Sequence, residues 1–274
     1  MVKFKKLQAR IITALVGCPV IVTAVYHGGV PFLIMVVLLA TLCLSEFLQL
    51  IHGKNKEAHQ LDIFVYTISL VLIVSTSMVE TKWLWNLFPV KILAGTIIIF
   101  FLIELFTEKI YFKGISFIDN LRGIFYVGFM FSFFILIREM PCHGLGYTIF
   151  LIFSVWTNDT FAYFIGLMFG KHKLNKKISP KKSVEGSWGG FIATIIFALI
   201  FARYLSFNPW QAVFMGATLS LLAQGGDLLE SLVKRAANRK NSSEVLPGHG
   251  GFLDRMDSFI LAGPVYYFII LYFC

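Results

Sequence analysis

The 274-residue chain is 57% hydrophobic and only 14% charged, with 29 phenylalanines and a mean hydropathy of +0.77. That balance lies far outside soluble globular usage and leaves little material for a separate water-soluble domain. The net charge of +9 is read as membrane topology and attraction to anionic headgroups, not as nucleic-acid binding, because the basic residues gather on one side of the expected spans.

A spanning helix needs about 20 mostly apolar residues. Nine such runs follow one another, at 11–27, 30–51, 61–79, 90–106, 123–140, 147–169, 188–205, 210–228 and 259–273. They are too long and continuous for the alternating strands of a barrel, so the expectation is an all-α polytopic bundle of about nine helices. It forms a single transmembrane domain over 1–274, with N-terminal spans in 1–145 and polar spans and cytoplasmic loops in 146–274. The opening "MVKFKKLQAR" and its apolar run imitate a signal peptide, but no small-residue cleavage site follows, so an uncleaved first span is expected. Cys18, Cys43, Cys142 and Cys274 lie far apart without metal-like spacing and read as small buried hydrophobes. "GLMFG" at 166–170 has the small-x-x-x-small spacing that lets helices approach closely.

With the N-terminus cytoplasmic, 20 of the 24 basic residues fall on inner segments, and the outer side keeps only Lys82, Lys91, Arg138 and Arg203. The positive-inside rule therefore predicts an N-terminus inside, a C-terminus outside and an odd number of spans. The inner connections at 170–187 and 229–258 are long and polar, whereas outer ones such as "HGG" at 27–29 are short. Chemistry should face the cytoplasm.

Four polar constellations stand out. In "GGDLLESLVKR" (225–235), Asp227, Glu230, Ser231 and Lys234 share one helical face; they suit a divalent cation, or equally a wet helix end. In "LPGHGGFLDRMDS" (246–258), Asp254 and Asp257 share a face at the start of the last span, after glycines 248, 250 and 251 that let backbone N–H groups approach phosphate oxygens. His249 is a donor to such an oxygen or a packing residue in the turn. The loop "GKHKLNKKISPKKSVEGSWGG" (170–190) holds six lysines, a topology signal or a phosphate site, with Ser179, Lys182 and Glu185 set among turn-forming residues. Asn158 and Asp159 lie about 16 Å of helix from the cytoplasmic end at Gly170, a depth at which an ionisable group is a functional candidate. Glu46 and Glu104 are similar acids without an accompanying polar cluster, as suited to helix packing as to a site. Together these patches suit metal-assisted transfer on a phosphate-bearing substrate. No G-x-S-x-G elbow, H-E-x-x-H or Walker sequence is present.

The stretch "SLVKRAANRKNSSEVLPGHGGFLDRMD" resembles the C-terminal signature of the phosphatidate cytidylyltransferases, or CDP-diglyceride synthases. Ser231, Lys234, Arg235, Lys240, Pro247, His249, Gly250, Gly251, Asp254, Arg255 and Asp257 all fall on that pattern without a gap. "NDTFAYFIGLMFGKHKL", "ISPKKSVEG" and "GDLLES" resemble the family's other motifs, so the likeness covers at least 158–257. One position departs: Asn241 stands where the family usually has aspartate, and is taken as a supporting position.

The resemblance implies that CTP and phosphatidic acid react to give CDP-diacylglycerol and pyrophosphate, with Mg²⁺ at two sites. It assigns Asp227, Asp254 and Asp257 to the metal. Lys171, Lys182, Lys234, Arg235, Lys240 and Arg255 are assigned to phosphates, His249 with Gly250 and Gly251 to the pyrophosphate leaving group, and Ser179, Glu185 and Ser231 to positioning. Asp159 completes the cation site or lines the lipid cavity. A multi-pass protein of a bacterial cytoplasmic membrane is expected, in contact with membrane lipid, with a homodimer left open. The competing classes are a proton- or cation-coupled transporter, which explains Asp159, Glu46 and Glu104 but not the His-Gly-Gly turn, and a CTP-dependent lipid-alcohol kinase, which would release CDP.

Overall fold

The computed structural model describes residues 15, 17–53, 62–77, 119, 122–141, 143–175, 177–245 and 250–273. Eight helices account for most of them: α1 (Gly17–His27), α2 (Gly29–His52), α3 (Asp62–Ser77), α4 (Ile124–Arg138), α5 (Gly144–Phe169), α6 (Val184–Phe201), α7 (Pro209–Ala236) and α8 (Leu253–Phe273). Five of them, α2 and α5 to α8, are long and apolar enough to cross a membrane, and α1, α3 and α4 contain shorter apolar stretches. The chain is thus an all-α membrane protein. The expected run at 90–106 lies outside the described residues, as do Glu104, Cys142, Cys274 and His249. One element was not foreseen in the lysine loop: strands β1 (Lys173–Asn175) and β2 (Ser179–Ser183) form an antiparallel hairpin, with Lys173 opposite Ser183 and Asn175 opposite Ser179.

The chain divides into two compact units, residues 1–139 with 233–256, and residues 140–232 with 257–274. In the first, α2, α3 and α4 pack round a core of Leu44, Phe47, Leu48, Tyr126, Met130 and Ile137, all nearly inaccessible. The first six residues of α4, Ile124–Phe129, are wound as a π-helix. There Gly128 meets α3 so closely that a Cβ would lie 2.5 Å from Ser69 Oγ. Arg138 closes the other end: its Nε donates to Val25 O at 2.7 Å and its Nη2 to Tyr26 O at 3.0 Å. These are carbonyls left unpaired at the end of α1, so the guanidinium acts as a side-chain cap for another helix. Gly28, at φ +65°, lies against that guanidinium, 2.6 Å from where a Cβ would meet Nη2. The first glycine of the "HGG" turn is thereby explained by Arg138, and the second by its own φ of +50°.

In the second unit α5 and α6 touch along their backbones. Gly186, Gly189 and Gly190 of α6 lie on Ala162, Ile165 and Asn158 of α5, and a Cβ on Gly190 would stand 2.7 Å from Asn158 O. The expected small-residue contact therefore exists, with Gly166 facing Gly186. Gly170 is needed for a different reason, because a Cβ there would strike Gly166 O and Ser183 Oγ at the helix end. Without a water-driven force between membrane helices, such close approach supplies the packing energy. Further along α5, Phe150 stacks on Phe197 and on Tyr266, both at 5.8 Å, tying α6 and α8 to it.

Candidate active site

In the second unit, the polar end of α7 is built against the start of α8. Gly226 sits directly on the Asp257 backbone, its hypothetical Cβ striking Asp257 O and coming within 3.2 Å of Ser258 Cα. Asp227, the next residue, and Asp257 are thus held on adjoining stretches of two helices. Asp257 is buried, and its Oδ1 accepts from Ser258 N at 2.7 Å. Asp227 accepts at Oδ1 from Ser231 Oγ, one turn on, at 3.4 Å, and its Oδ2 forms an ion pair with Lys182 Nζ. Both side chains of that pair keep more than a quarter of their exposure, so the carboxylate already receives a cation while remaining open to solvent.

Lys182 reaches Asp227 because the hairpin is rigidly built. Asn175 Oδ1 accepts from Lys177 N and Ile178 N at 3.0 and 3.1 Å, closing the turn. Ser183 caps α6, accepting from Gly186 N at 3.1 Å. Glu185, in the first turn of α6, accepts from Lys171 N and His172 N at 3.1 Å and from His172 Nδ1 at 2.6 Å. Glu185 thus clamps the backbone at the hairpin's entrance. Lys171, Lys173 and Lys181 are exposed on the same segment, and Ser179 is half-buried at the start of β2.

Deeper along α5, Asn158 is buried at the centre of a polar knot. Its Oδ1 accepts from Ser220 Oγ at 2.7 Å and from Gln224 Nε2 at 3.1 Å, its Nδ2 donates to Asp159 Oδ1 at 3.0 Å, and Gln224 Nε2 also reaches Ser187 O at 3.1 Å. Asp159 itself is exposed. Ser220 and Gln224 were not singled out in the sequence, although they stand one turn apart within a mostly apolar span.

In the first unit, Asp254 is surrounded by donors. Lys234 Nζ lies 2.6 Å from Oδ1, while Oδ2 accepts from Gly251 N at 2.8 Å and Ser242 N at 3.1 Å, with Ser242 Oγ at 3.0 Å. The Lys234–Asp254 pair is largely dehydrated, at 12% and 9% side-chain exposure. Gly250, at φ +84°, takes a conformation that side chains resist, and a Cβ there would lie 2.6 Å from Asp254 Oδ2. Asn241 is exposed beside the same glycine. Arg235, Lys240 and Arg255 are exposed.

The residue that sequence reasoning undervalued is Glu46. Far from lacking polar company, it accepts from Ser243 Oγ at 2.6 Å, Ser242 Oγ at 2.7 Å, Leu253 N at 2.9 Å and Phe252 N at 3.0 Å, and it is 3% exposed. Its partners lie about two hundred residues away in sequence, which is why no local pattern revealed them. Among the described residues, no three His, Cys, Asp or Glu side chains gather into a group able to hold a metal ion by themselves.

The sequence profile of the cytidylyltransferase family matches residues 8–273. The chain is similar to the phosphatidate cytidylyltransferases of Staphylococcus aureus (strain COL), 33% identical over 261 residues that cover 94% of this chain and 97% of the relative, and of Bacillus subtilis (strain 168), 31% identical over 273 residues that cover 97% and 98%. A match running from the first apolar segment to the last helix, with similarity over nearly the whole length of both partners, shows that the chain belongs to the cytidylyltransferase family.

Proposed function

We infer that the chain is a multi-pass enzyme of a bacterial cytoplasmic membrane that makes CDP-diacylglycerol and pyrophosphate from CTP and phosphatidic acid, a step of phospholipid synthesis. The observation that carries this reading is full-length similarity to phosphatidate cytidylyltransferases combined with the gap-free run of signature residues from Ser231 to Asp257.

A phosphate oxygen of phosphatidate attacks the α-phosphorus of CTP. The bond from that phosphorus to the oxygen bridging to the β-phosphate breaks, and pyrophosphate leaves with the electron pair. The attacking oxygen is already ionised, so charge neutralisation and in-line placement matter more than a strong base. Lys182 and Lys234 are suited to this because each rests on a carboxylate and can turn its ammonium to a phosphate oxygen. Lys171, Arg235, Lys240 and Arg255 offer exposed cations, and the signature assigns His249, Gly250 and Gly251 to the departing pyrophosphate. Ser179, Ser231 and Glu185 hold these groups in place.

Mg²⁺ fits the donor set in one respect: Asp227 already accepts a cationic side chain in an open position, and Asp257 lies on the adjoining turn. When bound, Mg²⁺ would neutralise charge on the triphosphate. Mg²⁺ commonly takes one or two carboxylates and completes its shell with substrate phosphates and water, so a three-carboxylate cage in the free protein is unnecessary. Asp227 and Asp257 are the first choices as its holders. Asp254 is assigned to the metal by the signature alone, and Asp159 is assigned to the lipid side. Two metal sites remain part of this reading.

The same reading carries nine spans, an N-terminus inside and a C-terminus outside, supported by the one-sided distribution of Lys and Arg. A homodimer is compatible with it and is decided by the mass of the purified particle. The test of the activity is direct: purified protein with CTP, Mg²⁺ and phosphatidate in mixed micelles should release pyrophosphate, and Asp257→Ala should lose that release while still eluting as a folded particle. Release of CDP, or no consumption of CTP, would sink the reading.

A further inference from the structure

We propose that Glu46 is a positioning residue for cytidylyl transfer, the carboxylate that locks the glycine turn and the first turn of α8 in their working arrangement. The inference rests on the activity inferred above and adds to it a residue from a segment where the family signature has no motif.

Its observations are geometric. Glu46 sits within the C-terminal half of α2 and is buried. A carboxylate in such a place is costly unless several donors satisfy it, and four do, at 2.6 to 3.0 Å. Two of them, Phe252 N and Leu253 N, belong to the free N–H groups at the start of α8, which any helix must satisfy somehow. The other two, the hydroxyls of Ser242 and Ser243, are not needed for a helix cap. They tie the segment after Asn241 to the same carboxylate, so that both ends of the turn, 242–243 and 252–253, hang from one side chain.

Gly251 records how tight this is. A Cβ at 251 would fall on Ser242 Oγ and Glu46 Oε2, so the second glycine of the His-Gly-Gly signature is demanded by Glu46 itself. The effect passes directly to charged groups. Ser242 Oγ lies 2.7 Å from Glu46 Oε2 and 3.0 Å from Asp254 Oδ2, yet a hydroxyl has one proton to donate. While Glu46 holds that proton, Asp254 is supported by the backbone N–H groups of Ser242 and Gly251 and by Lys234. Removing the carboxylate releases Ser242 to Asp254 and loosens the segment that presents Gly250, Gly251 and Arg255.

The test compares wild type, Glu46→Gln and Ser243→Ala in mixed micelles, with rates normalised to folded particle and melting followed in the same detergent. Glu46→Gln keeps the shape but turns half the acceptor into a donor facing other donors. Misplacement of this kind costs about 10²-fold in kcat, while the KM for phosphatidate should stay within about threefold because the lipid contacts are untouched. Glu46→Gln protein that is folded and keeps wild-type kcat would overturn the proposal. If that variant does not fold, Ser243→Ala decides: loss of one charge-assisted hydrogen bond to a buried carboxylate should lower the melting temperature without unfolding the protein and lower kcat of the folded particle about tenfold, and unchanged kcat would overturn the role. Wild-type protein that releases no pyrophosphate would overturn the activity itself, and this role with it.

Discussion

Lys182 and Lys234 are both lysines paired with aspartates, but their surroundings predict opposite consequences of the same substitution. The Lys234–Asp254 pair is nearly dehydrated, and breaking a buried pair from one side costs about 3–5 kcal/mol because the other charge is stranded. Lys234→Met should therefore lower the melting temperature as well as activity. The Lys182–Asp227 pair keeps 27% and 31% side-chain exposure, and pairs open to solvent contribute about 1 kcal/mol or less. Lys182→Met should leave melting almost unchanged and raise the KM for CTP, which steady-state kinetics with varied CTP would check. Asn241, exposed beside Gly250, should tolerate Asn241→Asp with turnover close to wild type; a large gain would mark that position as a missing metal ligand. The residues of the signature were legible in the chain because their types and spacings are local. Glu46 was not, since its meaning lies in four donors brought from distant sequence.

At the scale of elements, the hairpin β1–β2 and the start of α6 form one capped assembly. Ser183 is the N-cap of α6 and also touches the space that Gly166, Gly170 and Gly186 leave open. Ser183→Ala should cost about 1 kcal/mol through the lost cap, measurable as a lower melting temperature, with turnover reduced because Lys182 follows from the same strand. The α5–α6 contact admits no side chain at Gly186 or Gly190. Replacing either by leucine should cost about 1–3 kcal/mol through overpacking, or prevent folding, whereas leucine at the open position Gly17 should do neither. The helices were readable from runs of apolar residues. The hairpin was not, because "KLN" and "SPKKS" carry neither hydrophobic alternation nor strong strand formers, and pairing is imposed by the Asn175 turn and the Glu185 clamp.

For the whole molecule, apolar content and the distribution of Lys and Arg carry the topology. Cysteines introduced singly into a cysteine-free variant at Lys181 and at Ser206 should be labelled from opposite sides of sealed inverted vesicles by a membrane-impermeant maleimide. Equal accessibility of both would contradict the proposed orientation. Raising that test to a functional one, CTP added outside inverted vesicles should be consumed, and CTP outside right-side-out vesicles should not.

The amino-acid sequence by itself determined that this is a helical membrane protein, roughly where its described apolar helices lie, and which motif residues resemble a family signature. Those properties depend on local composition and short spacing, which the bilayer converts directly into helices. Only the tertiary structure decided that Asp254 is shared among Lys234, Ser242 and Gly251, that Asp227 meets Lys182 of a hairpin, and that Glu46 holds the glycine turn. Buried polar groups must find partners wherever the fold supplies them, and nothing in the neighbouring sequence says from which distant segment those partners come.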